Sequence, residues 1–166
     1  MMYGQASVAP PGHPGLELDD AFVGQQNGLC GAAVTGVLFL HTGLHTGYVG
    51  FAIDVLAAAP PLEHVWEDIV EVSFTPQGRA LALLDWYGER VCDVPLTQGT
   101  GYRVRYSARG MDAGHALDTC PDGTTMADHY QLTFWPAAVT ADRVVKQTSA
   151  NAAYWHAHAQ SMRAST

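Results

Sequence analysis

Four stretches of strict alternation between apolar and polar residues limit what this chain can fold into more than any other feature. In YVGFAIDV, Val49, Phe51, Ile53 and Val55 fall on one side, and Tyr48, Gly50, Ala52 and Asp54 on the other. In IVEVSFT, Val70, Val72 and Phe74 alternate with Glu71, Ser73 and Thr75. In YRVRYS, Tyr102, Val104 and Tyr106 alternate with Arg103, Arg105 and Ser107, and in HYQLTFW, Tyr130, Leu132 and Phe134 alternate with Gln131, Thr133 and Trp135. A period of two places one set of side chains against a core and the other in water, the signature of a half-buried strand in an antiparallel sheet.

Weaker strand patterns run over Tyr3–Val8, Gly36–Leu40, Ala80–Trp86 and Glu89–Val94, separated by turn-forming stretches such as Pro76-Gln77-Gly78 and Tyr87-Gly88. Seven or eight short strands with frequent turns predict a mostly β fold, an antiparallel β-sandwich. Two stretches look helical: Leu16–Gln26, and residues 144–163 at the C-terminus. In the second, Thr148 or Ser149 is placed to cap, and Ala152, Trp155, Ala159 and Met162 recur at helical spacing. Its expected role is to pack Trp155 on the sandwich or cover a sheet edge. The 166 residues read as one domain: an N-terminal strand and loop over 1–15, the sandwich, a long loop over 108–128 and the C-terminal helix.

Charge is distributed unevenly. The net charge is -8, and residues 1–78 contain no Lys or Arg. They carry Glu17, Asp19, Asp20, Asp54, Glu63, Glu67, Asp68 and Glu71, while acids and bases balance over residues 79–166. A field of one sign repels nucleic acid and anionic membranes and attracts basic partners. No apolar run is long enough to span a bilayer, the N-terminus lacks signal-peptide features, and three cysteines, Cys30, Cys92 and Cys120, cannot all pair within one chain. These features together lead us to expect a cytoplasmic location.

The doubled His-Thr-Gly in LHTGLHTG raises the question of a metal site at His41 and His45. Its glycines and strand-like flanks argue against a helix. On an extended strand, residues four apart lie roughly 13 Å from each other, too far to share an ion. A hairpin or irregular turn is the expectation, with no metal and no cofactor. Cys30, between glycines, reads as a buried, inert thiol. Glu63, Trp66, Glu67 and Asp68 read as an aromatic anchor in a solvated acidic rim. The loop 108–128 has no clear periodicity, and long loops in compact domains are often functional. With Arg103 and Arg105 before it, and Arg109 and Asp112 in it, it completes the candidate partner-binding set. The competing reading of Arg103 and Arg105 is that they bridge to acids on neighbouring strands such as Glu71. GxSxG, P-loop, GxGxxG and CxxC motifs are absent from the sequence.

Taken together, GQQNGLCGA, GLHTG, VWEDIVEVSF, YRVRYSARGMDAG, FWPA and RVVKQTSANAAYWH resemble a family of small, uncharacterised actinobacterial proteins along nearly the whole chain. That resemblance brings no activity with it. The acidic, all-β layout and the strand start Gly101-Tyr102-Arg103-Val104 are more distantly similar to the competence-associated nuclease inhibitors. No site residue is carried over from either family.

The leading functional expectation is a non-catalytic binding module of immunity or inhibitor type. It would dock a basic protein such as a nuclease or toxin through an acidic surface. The alternatives are an enzyme or metal protein using His41, His45, Cys30 or the 108–128 loop, and a small-ligand sandwich with a pocket lined by Met111, Tyr106 and Trp135. The oligomeric state is left open by the sequence.

Overall fold

The computed structural model describes residues 2–14, 16–78, 80–120, 122 and 126–163. In chain order the elements are β1 (Gln5–Ala9), α1 (Leu18–Phe22), β2 (Cys30–Gly31), β3 (Leu38–His41), β4 (Thr46–Gly47), β5 (Gly50–Val55), β6 (Asp68–Phe74) and β7 (Ala82–Leu84). They are followed by β8 (Arg90–Asp93), β9 (Tyr102–Arg109), α2 (Met111–Leu117), β10 (Thr119–Cys120), β11 (His129–Pro136), β12 (Arg143–Lys146) and α3 (Ala150–Arg163).

Two five-stranded sheets face each other, one ordered β2-β3-β1-β7-β8 and the other β12-β6-β9-β11-β5, with a small β10-β4 pair beside them. The alternating residues explain the shared core. Ala6 and Val8 of β1, Leu38 and Leu40 of β3 and Leu83 of β7 meet Val70, Val72 and Phe74 of β6, Val104 and Tyr106 of β9, and Leu132 and Phe134 of β11. The fold is a mostly β sandwich with a C-terminal helix, as the alternation predicts.

Four expectations need correction. The sandwich is not wholly antiparallel: β11 pairs with β5 in parallel, as β10 does with β4. A parallel neighbour requires a crossover, and the chain supplies one by leaving β5 across the outer face of the second sheet before entering β6.

The same crossover overturns the expected wet face. Glu71, Arg103, Arg105 and Ser107 are all buried. Arg105 donates to the carbonyls of Pro60 and Pro61, and Arg103 to those of Thr140 and Ala141, so main chain from both segments lies against that face.

The helical assignments shift as well. Val144 belongs to β12, whose β-branched Val144-Val145 suits a strand, and α3 begins only at Ala150. Ser149 is its cap, with Oγ accepting from the Ala152 N–H at 3.0 Å. Leu16–Gln26 contracts to five residues, Leu18–Phe22, and Gly24 follows with φ +76°, a conformation that ends a helix.

The segment 108–128 is not a featureless loop. It closes β9, forms α2 and pairs β10 with β4, while Pro121, Gly123, Thr124 and Thr125 lie outside the described residues. No helix among the described residues is long and apolar enough to cross a membrane.

Candidate binding face

The tandem His-Thr-Gly is an irregular turn built for close approach. A Cβ on Gly43 would sit 2.1 Å from the Met111 carbonyl oxygen, and one on Gly47 would sit 2.1 Å from that of Cys120. Each glycine therefore lets the chain cross against one part of the 108–128 segment. The Gly43 N–H donates to the Tyr130 hydroxyl at 2.6 Å, and the Leu44 N–H to Asp128 at 2.8 Å.

The two histidines have separate fates. His41 is buried, its Nδ1 donating to the Gly28 carbonyl at 2.6 Å, and its ring stacks on Trp155 with centroids 3.8 Å apart. Burial, foremost, lowers its pKa to about 4, against the opposing pull of the Gly28 bond. His45 lies exposed, its Nδ1 2.9 Å from Thr46 Oγ1. Among the described residues no group of three or more His, Cys, Asp or Glu side chains is placed to hold a metal ion. Cys30 is fully buried, and burial, with the charge of Asp142, pushes its thiol far above the usual range. Neither Cys30 nor His41 presents a reactive group to solvent.

The predicted carboxylates divide between structure and surface. Glu71 is a buried hub: its oxygens meet Arg105 at 2.9 Å, Arg103 at 3.2 Å and Arg143 at 2.8 Å. Burial pushes its carboxyl up, but the three guanidiniums outweigh burial and hold it below the ordinary range. Arg103 and Arg105 thus bridge to the neighbouring strand and do not reach outward.

Asp68, expected on a solvated rim, is fully buried and accepts from the N–H groups of Thr148 and Ser149 at 2.7 and 3.1 Å. Asp112 accepts from those of Ala150 and Asn151 at 3.0 and 2.8 Å. Both carboxylates satisfy orphan donors at the start of α3. The ligand-pocket reading fails on register: Tyr106 and Met111 are buried in the core, whereas Trp135 lies on the opposite face, under the Arg105 guanidinium at 5.3 Å.

The structure does bring Glu63, Trp66, Glu67 and Arg109 together, beside Arg105. Trp66 Nε1 donates to Glu63 at 3.1 Å, Glu67 accepts from the Gly110 N–H at 2.8 Å, and the Arg109 guanidinium sits 5.9 Å from the Trp66 ring. A cavity of about 260 Å³ opens there, lined in part by Asp54, Leu56, Glu63, Trp66, Arg105 and Gln131.

Around this cavity the crossover exposes Leu56 (39%), Leu62 (51%) and Val65 (52%). Pro60-Pro61 keeps the crossover from joining a ladder. It is held down instead by Arg105 and by Lys146, whose Nζ donates to the Trp66 carbonyl at 2.5 Å. The strand beside it, β5, is an edge of the second sheet.

Sequence reasoning missed this apolar strip, because VLAAAPPL reads as a plain connection. It also missed Asp128, buried under Leu44 and the Tyr130 hydroxyl, and Asp142, which accepts from the backbone N–H groups of Gln26 and Asn27. Nothing in their sequence surroundings sets either aspartate apart. No family model matches the chain, and neither does any curated protein or solved structure.

Proposed function

We propose that the chain is a non-catalytic binding module that docks a basic protein through the face formed by residues 54–67. The observation that carries this reading is the set of exposed apolar side chains Leu56, Leu62 and Val65 on the crossover, beside Asp54, Glu63 and Glu67. Exposed apolar patches with polar rims are the common form of protein interfaces. Here Arg109 shares the rim with Asp54, Glu63 and Glu67, and the net charge of -8 favours a partner of positive charge and speeds its approach. The acids that serve are fewer than the sequence suggested, since Asp68 and Glu71 are spent inside the fold. A nuclease, a basic protein by the needs of its phosphate-binding cleft, is the first partner to test.

The test is affinity capture from lysate, with identification of the retained protein and its measured affinity for the purified chain. Leu62→Asp and Glu63→Lys alter exposed side chains and leave the core intact. A basic protein held at low salt, released at high salt and lost by both variants is the expected result. A partner retained equally by the variants, or indifferent to salt, overturns the assignment.

A further inference from the structure

A second, larger cleft lies where the His-Thr-Gly turn, α2 and the start of α3 converge. Its volume is about 620 Å³, within the range of small-molecule sites. Tyr3, Tyr154 and Trp155 contribute aromatic walls. Tyr154 is 63% exposed and Tyr3 51%, while Trp155 is backed by the His41 ring. His45 and His115 complete the wall, and Asp112 and Asp118 supply carboxylates.

The start of a helix would ordinarily favour an anion. Here that role is already filled. Asp112 takes the N–H groups of Ala150 and Asn151, Ser149 Oγ takes that of Ala152, and Asp68 takes those of Thr148 and Ser149. Among the described residues no Lys or Arg lines the cleft. What faces the space is aromatic surface and the carboxylates of Asp112 and Asp118. Aromatic faces and acceptor oxygens together suit a ligand that is a donor, positively charged and partly apolar.

We propose that this cleft binds a small organic cation, an ammonium or guanidinium group on an apolar stem. The stem lies against Tyr154 and Trp155, and the charge is directed to Asp118. The site is separate from the docking face and does not depend on it.

Calorimetric titration of the full chain with agmatine tests this, with glutarate and pentane-1,5-diol as anionic and neutral counterparts of similar length. Asp118→Asn removes the charge and keeps the size and shape of the side chain at a position with φ 61°. Tyr154→Ala removes an exposed ring, and circular dichroism verifies that both variants fold. The expected result is saturable agmatine binding, about tenfold weaker in Asp118→Asn, where a charged hydrogen-bond partner is lost. Tyr154→Ala is expected to bind a few-fold more weakly, through the lost apolar contact with the stem, and the two counterparts not to bind. Absence of saturable agmatine binding at millimolar concentration, glutarate binding as tightly as agmatine, or agmatine affinity unchanged in both variants overturns the proposal.

Discussion

His41 makes the stability of this fold depend on acid in a way that can be worked out from its surroundings. The imidazole is 2% exposed, sandwiched between Trp155 and Phe22, and its Nε2 has no hydrogen-bond partner. Burial lowers its pKa from the ordinary 6.5 to about 4. As the pH falls from 6.5 towards 4, the unfolded chain takes up a proton that the native state refuses, so stability falls in that window. Each pH unit costs about 1.4 kcal/mol, giving a loss on the order of 3 kcal/mol between pH 7 and pH 4 from this one residue.

His156 acts in the same direction, its pKa lowered by burial against the charges of Asp68 and Asp142. The informative comparison is His41→Phe, which keeps a ring between Trp155 and Phe22 and removes the titration. It leaves the Gly28 carbonyl without its donor, a cost of about 1–3 kcal/mol that does not vary with pH. Urea unfolding followed by circular dichroism at intervals from pH 7 to pH 4 then gives two stability curves. They should converge as the pH falls, the variant losing about 3 kcal/mol less than the native chain. Curves that stay parallel would refute the argument, because a solvated or already charged His41 gives no such difference.

Two further outcomes follow from buried groups. Glu71→Gln leaves Arg103 and Arg105 buried with their charges unbalanced, and unfolding free energy measured in urea should drop by about 3–5 kcal/mol. A drop under about 1 kcal/mol would mean that water reaches the cluster and screens it. Ellman's reagent should modify exposed Cys92 in the native protein, while Cys30, buried and with its thiol pushed up, should react only on unfolding; fast labelling of Cys30 would contradict its burial.

The sandwich was legible because β6, β9 and β11 carry their alternation in consecutive residues, and local period is what a sequence displays best. Register between distant strands is not local. Nothing in YVGFAIDV says that it runs parallel to β11. The wet face expected for Arg103 and Arg105 failed because coverage by residues 56–67 and 137–142 is a tertiary event, although the pairing with Glu71 could be read from strand spacing. α2 escaped notice because it is seven residues long and holds Gly114, where a Cβ would sit 2.6 Å from the Asp128 carboxylate. Of the candidate site, Glu63, Trp66 and Glu67 were found by type and proximity. Asp68 and Asp112 were misread, because a surface carboxylate and one that anchors a helix start look alike in a string of letters.

The pairing of β5 with β11 sets the order in which this protein can mature. Residues 50–55 find their neighbours at 129–134, so a chain emerging from the ribosome carries an unmatched β5, and the apolar strip beyond it, until most of its length has been made. Contacts this distant are slow to form, and during that interval the strip is open to any hydrophobic surface nearby. Synthesis rate and chaperone supply would then govern the yield of native protein more strongly than its final stability does.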